Sequence, residues 1–304
     1  MSISQTTKEE QESSGTFSVA FQGEIGAYSQ SAIYAFFGRS NVKEIVPFPT
    51  FRQVFASLSA QEDTRVSHKP DYAVVPIENT LAGSIGETLD LLLSSDVRIV
   101  GEVSIPILHA LIAHKDSSIG QIRRVISHPQ AIAQCKVYLD SNGWEQVSVY
   151  DTAGAAKMIR DGNLKDTAAI ASELAAEIYG LKILEHYIED DHSNMTRFVV
   201  IESRSKKRTL EYEVPERSNN YKTSVLFSTK HKPGSLVGAL SVFSTRGINL
   251  TKIESRPMKY RPWEYYFFVD FEGHEKSENC RQALEELKSR AIELKILGSY
   301  KRGP

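Results

Sequence analysis

The chain has 304 residues, 41% of them hydrophobic and 24% charged, with 36 Lys and Arg against 38 Asp and Glu and a net charge of -2. This is an ordinary globular composition, long enough for two domains, and it lacks the positive excess that would hold nucleic acid or an anionic membrane. Cys135 and Cys280, the only cysteines, stand far apart without neighbouring ligand residues, which excludes a disulfide framework and a zinc motif and points to a reducing compartment.

Residues 1–15 are polar, contain no aromatic side chain and read as a disordered tail. They lack the apolar core of a secretory signal, and their acidic residues do not suit a plant-type transit segment, so a cytoplasmic protein is expected. No apolar run is long enough to span a bilayer. From residue 17 to 203, short β-branched runs alternate with helical patterns, predicting an α/β domain with mainly parallel strands. Strands are expected at 17–21, 72–75, 98–103, 125–127, 147–150, 168–171 and 197–201, with helices after Tyr28, Thr50, Ser84, Pro129, Thr152 and Glu173.

Residues 204–220 are charged, without apolar periodicity, and read as a linker. Beyond them, over 221–304, the order strand 223–228, helix 234–246, strand 249–256, strand 264–271, helix 277–291, strand 293–299 is a ferredoxin-like βαββαβ unit. Leu236, Val237, Leu240 and Phe243 share one predicted helix face, and Cys280, Ala283, Leu284, Leu287 and Ala291 the other. An unpaired sheet edge in so small a unit favours pairing with a second copy.

Four segments carry chemistry. In FQGEIGAYS a strand enters a turn at Gly23 and Gly26 and then a helix near Tyr28 and Ser29, a turn that can present backbone N–H groups to an anion or simply connect two elements. In VVPIENTLAGS the strand delivers Glu78 and Asn79 past its carboxyl end, where ligands of α/β sheets sit; capping of the next helix by Asn79, Thr80 or Ser84 is the alternative. RRVISHPQAIAQC repeats the arrangement with Ser127, His128 and Gln134, and DTAGAAKMI with Asp151 or Thr152 as helix cap; Pro129 marks His128 as part of a helix start rather than a catalytic group. Finally, DDHSNMTRFVV runs polar residues into a strand at Thr196-Arg197-Phe198, where Arg197 offers a fork for a carboxylate and Thr196 a hydroxyl.

Together these segments resemble the prephenate dehydratase family from Phe17 to about Tyr300. GEIGAYS, Pro76-Ile77-Glu78-Asn79, Ser127-His128-Pro129-Gln130 followed by Gln134, and Thr196-Arg197-Phe198 match its catalytic motifs; Glu254-Ser255-Arg256-Pro257 and Gly234-Ser235-Leu236-Val237 match those of its regulatory ACT domain, the latter with Ser in place of Ala. The resemblance implies two α/β lobes similar to periplasmic-binding-protein folds, with substrate in the cleft between them; with only a short tail before Phe17, the chorismate mutase helix bundle fused to many bacterial relatives is not expected. It implies Thr196 as the catalytic hydroxyl and Arg197 as carboxylate clamp, with Asn79, Ser127, Gln134, Glu78, Tyr28, Ser29, Thr152 and Phe198 around the substrate. The expected reaction turns prephenate, or arogenate in its place, into an aromatic product by loss of CO2 and hydroxide; aromatisation drives it, so no cofactor or metal is implied. Phenylalanine is the expected effector, held between ACT domains of a homodimer or homotetramer by Gly234, Ser235, Leu236, Asn249, Leu250, Glu254 and Ser255. A non-catalytic amino-acid sensor is the competing class, and the intact Thr196-Arg197-Phe198 argues against it.

Overall fold

The computed structural model describes residues 16–59, 69–205, 220–258 and 261–303. The tail and most of the expected linker therefore lie outside the described residues. The first lobe is built from β1 (Phe17–Gln22), α1 (Tyr28–Phe37), β2 (Val42–Phe48), α2 (Phe51–Ser57), β3 (Tyr72–Asn79), the two-residue β4 (Gly83–Ser84), α3 (Gly86–Ser94) and β5 (Val97–Pro106). The chain then crosses into a second lobe of β6 (Ala110–Ala113), β7 (Arg124–Ser127), α4 (Pro129–Gln134), α5 (Lys136–Asn142), β8 (Glu145–Ser148), α6 (Thr152–Gly162), β9 (Thr167–Ala171), α7 (Glu173–Tyr179) and β10 (Lys182–Glu185). It returns to the first lobe as β11 (Met195–Ser203).

The first sheet has the order β2-β1-β3-β11-β5, the second β10-β6-β9-β7-β8. Only the β2, β1, β3 and the β9, β7, β8 neighbours are parallel; β11 runs against both β3 and β5, and β6 against β9 and β10. The sheets are thus mixed rather than mainly parallel, because each lobe must take in a strand that arrives from the other. Strands β2, β6 and β10 were not foreseen. In β2 the charges at Lys43 and Glu44 and the edge-tolerated Pro47 obscure the alternation, while β6 and β10 have four residues each, too few to show a period.

The C-terminal domain comprises β12 (Tyr221–Ser228), α8 (Ser235–Ser244), β13 (Leu250–Met258), β14 (Arg261–Glu272), α9 (Glu278–Arg290) and β15 (Glu293–Lys301). Its antiparallel sheet has the order β13-β14-β12-β15, as a ferredoxin-like unit requires. Both helices cover one face through Ala239, Val242, Phe243, Cys280, Ala283, Leu284 and Leu287. Val237 does not join them and is 72% exposed, because the buried stripe runs 236, 239, 240, 243 and Val237 lies a third of a turn off it.

The opposite face of that sheet is not free. Leu226, Phe268, Leu297 and Tyr300 form one buried cluster with Val97, Ile99, Val199 and Ile201 of the first lobe, so β5 and β11 serve as the floor for the small domain. Gly298 makes the closest approach. It has φ 153°, and a Cβ there would overlap the carbonyl oxygen of Ile99.

Candidate active site

Between the lobes lies a cavity of about 250 Å3. The first lobe contributes Gln22, Ala27, Tyr28, Ser29, Pro76, Asn79, Ala82, Ile85, Thr196 and Phe198; the second contributes His109, His128, Gln130, Ala131, Gln134, Asp151 and Thr152. Strand pairing fixes its centre, since Thr196 on β11 stands opposite Asn79 on β3. Asn79 Oδ1 accepts from the backbone N–H groups of Leu81 (3.0 Å) and Ala82 (2.8 Å), a turn that defines which end of the amide is which. Its Nδ2 consequently donates, to Asn194 Oδ1 at 2.7 Å and to Thr196 Oγ1 at 2.9 Å. Nδ2 also has Met195 O at 3.1 Å, and the buried Thr196 hydroxyl borders the cavity beside it.

Helices α1 and α6 begin at the cavity wall with Tyr28 and Thr152, directing the positive ends of their dipoles at it. Asp151 caps α6, its Oδ1 accepting from Gly154 N–H at 2.8 Å. His128 is an exposed cap whose Nδ1 accepts from Gln130 N–H at 3.2 Å, as its position before Pro129 indicated. The glycine turn of β1 is a contact between lobes: Gly26 has φ 93°, and its Cα leaves room for only hydrogen against Ala175, while its carbonyl accepts from Ser172 Oγ at 2.7 Å.

His109 was not foreseen. Its Nδ1 lies 2.8 Å from the Tyr28 hydroxyl and its Nε2 3.0 Å from Gln134 Oε1, while its backbone N–H donates to Glu189 Oε2 at 2.7 Å. The neutral ring donates its Nε2 proton to Gln134 Oε1, so Nδ1 is an acceptor beside the Tyr28 hydroxyl, whose proton has Leu108 O at 2.7 Å as its other acceptor. Burial holds the imidazole below its ordinary pKa, against the opposing pull of Gln134 and Glu189. In the sequence the residue stands inside the apolar run PILHALIA, where a lone His has no motif to mark it; a polar side chain needing partners within such a run was the available signal.

Three expected site residues lie elsewhere. Ser127 is fully buried and donates to the Ile170 carbonyl at 2.6 Å, tying β7 to its neighbour instead of facing the cavity. Arg197 and Glu78 face each other across β11 and β3 on the side opposite Thr196, because successive strand residues point to opposite faces. Arg197, the expected carboxylate clamp, does not line the cavity; its guanidinium meets Glu78 (2.9 Å), Glu102 (3.1 Å) and Asp270 (2.8 Å). Lys222 bridges to Glu102 at 2.7 Å and Lys252 to Glu78 at 3.0 Å, completing a charge cluster between the first lobe and the small domain. Burial opposes ionisation in this cluster, yet Asp270 holds Arg197 above its ordinary pKa, and Lys252 and Arg197 hold Glu78 below its own.

The expected effector residues are dispersed within one chain. Ser235 and Leu236, next to Gly234, line a cavity of about 110 Å3 with Lys232, Glu264 and Tyr265. Asn249 lies at the far end of α8 in a separate hollow with Arg246, and Leu250 packs against the domain core. On β13, Glu254 accepts from Ser84 Oγ of the first lobe at 2.9 Å, whereas its neighbour Ser255 is exposed on the other side.

A prephenate dehydratase family model matches residues 19–206, and an ACT domain model residues 223–289. Among curated relatives, the chloroplastic arogenate dehydratase/prephenate dehydratase 2 of Arabidopsis thaliana is 44% identical over 291 residues, 93% of this chain and 72% of that one. The bifunctional chorismate mutase/prephenate dehydratase of Aquifex aeolicus is 42% identical over 284 residues, 93% of this chain and 73% of that one. Among solved structures, GqqA, described as a novel type of quorum quenching acylase, aligns with a TM-score of 0.82 at 34% identity over 94% of this chain and 98% of that one. The prephenate dehydratase of Arthrobacter aurescens in complex with L-Phe aligns with a TM-score of 0.80 at 29% identity over 93% and 89%.

Proposed function

Because the chain belongs to the prephenate dehydratase family, we propose that its interlobe cavity holds the substrate and that Thr196 assists departure of the ring hydroxyl. The activity is that of a prephenate dehydratase: the ring carboxylate leaves as CO2, its bonding electrons enter the ring, the C–O bond breaks, and the departing hydroxide takes a proton to become water. Aromatisation supplies the driving force, so the chain's own task is to hold and orient the dianion and to stabilise charge building on the leaving oxygen. The observation that supports the reading is the Asn79 amide 2.9 Å from Thr196 Oγ1 at the cavity wall, an arrangement in which the Thr196 hydroxyl can donate to the leaving oxygen. Thr196 then donates a hydrogen bond that shortens as the C–O bond lengthens. Among the described residues no Lys or Arg lines the cavity, so the substrate carboxylates are assigned to the starts of α1 and α6, the Ser29 and Thr152 hydroxyls and the Gln134 amide.

Arogenate, which carries an ammonium where prephenate has a keto group, fits the same chemistry. Incubating the protein with each compound and following phenylpyruvate against phenylalanine tests the assignment; turnover of neither would overturn it.

Phenylalanine is the effector, acting through the ACT domain. Since Gly234, Ser235 and Leu236 are separated from Asn249 by the length of α8, a complete site needs two copies of the domain, which supports a homodimer or a larger homo-oligomer. Its buried free thiols, Cys135 and Cys280, suit a reducing cytoplasm.

A further inference from the structure

Among the described residues, those lining the interlobe cavity include one carboxylate, Asp151, and no Lys or Arg. While Asp151 Oδ1 is engaged by Gly154 N–H, Oδ2 lies toward the Gly23 turn, 3.3 Å from where a Cβ on that glycine would stand. The adjacent carboxylate, Glu24, is already satisfied by Lys157 (3.0 Å) and the Tyr150 hydroxyl (3.1 Å). Asp151 has no such partner among the described residues, and the titratable groups facing it are Glu24 and His128.

The two substrates differ in what they bring to this carboxylate. Prephenate is a dianion, whereas arogenate has the same two carboxylates plus an ammonium and a net charge of -1. In both, the ring hydroxyl and the three-carbon side chain sit on opposite ring carbons. With the hydroxyl at Thr196 in the first lobe, the side chain extends across the cleft toward the second lobe, where Asp151 heads α6.

We propose that Asp151 is a specificity-determining residue that selects for the ammonium of an amino-acid substrate over the keto group of its 2-oxo counterpart. This rests on the dehydratase reading of the cavity and adds to it the choice between substrates. An ionised Asp151 pairs with the arogenate ammonium and repels the prephenate side chain. Prephenate enters with Asp151 protonated, which burial of the carboxyl favours.

The test is kcat/KM for arogenate and for prephenate in the full chain and in Asp151→Asn and Asp151→Ser, both of which retain a side chain able to cap α6. The ratio of arogenate to prephenate kcat/KM should fall by about tenfold or more in each variant, as loss of a close opposite-charge contact to the ammonium requires. A ratio within about twofold of the parent in both variants would overturn the proposal while leaving the dehydratase reading intact. A parent enzyme that turns over neither compound would instead remove that reading, and the proposal with it.

Discussion

Arg197 and Asp270 meet at 2.8 Å, and this contact joins the strand that bears Thr196 to the central sheet of the C-terminal domain. Asp270 is fully buried and also accepts from Ser224 Oγ at 2.6 Å. Removing the guanidinium leaves the buried Asp270 without its counter-charge, while Glu102 keeps Lys222. Arg197→Ala should therefore destabilise the fold by about 3–5 kcal/mol, and Arg197→Lys by less, because one ammonium cannot reach three carboxylates. For the Lys variant, a lowered melting temperature with KM for prephenate within about twofold of the parent is expected. A large rise in KM at unchanged stability would return Arg197 to the substrate.

Thr196→Ala should lower kcat by about 100-fold or more with a smaller change in KM, and Thr196→Ser should keep part of the rate. Asn79→Asp offers a sharper check. Its carboxylate can still accept from Leu81 and Ala82 but takes the Thr196 proton instead of supplying one. We expect kcat to fall by at least about tenfold without unfolding; steady-state kinetics at saturating substrate, beside a melting curve, would expose the idea as wrong if kcat held.

Gly298 provides a way to loosen the small domain without deleting it. Deletion would uncover Ile99, Val199 and Ile201 and leave Glu102 without Lys222, so a shortened chain is a poor probe of regulation. Gly298→Ala forces β15 away from the Ile99 carbonyl and should cost about 1–3 kcal/mol. The half-inhibiting concentration of phenylalanine should rise while kcat without phenylalanine is kept; inhibition identical to the parent's would mean that this contact transmits nothing.

His109 gives a pH signature. The native state keeps it neutral below its ordinary pKa of about 6.5, where the unfolded chain takes up a proton, so its contribution to stability is present above that value and declines as pH falls toward the depressed native pKa. His109→Asn abolishes that proton uptake. Melting temperatures from pH 7 to pH 5 should drop more steeply for the parent than for the variant, and parallel slopes would show that His109 does not titrate on unfolding.

The strand-and-helix alternation and the βαββαβ unit were legible because their periods are local. What the motifs could not convey is facing. Thr196 and Arg197 are adjacent in sequence, as are Asn79 and Glu78, but the pleat sends one of each pair into the cavity and the other into the domain interface. Ser127 was misplaced for a related reason, since a hydroxyl at a strand end serves a neighbouring carbonyl as readily as a ligand. The small domain's attachment was invisible because its buried face packs against residues distant in sequence, Leu297 and Tyr300 clustering with Ile99 about 200 positions earlier.

The second lobe is an excursion that leaves the first along β5 and comes back along β11, and these two strands lie side by side. Any swing of one lobe against the other must bend about them. They are also the strands on which the C-terminal domain rests, through Ile99, Val199, Glu102 and Arg197. The strands that link the lobes and the strands that carry the small domain are thus the same piece of the molecule, although that domain contributes no described residue to the cavity lining.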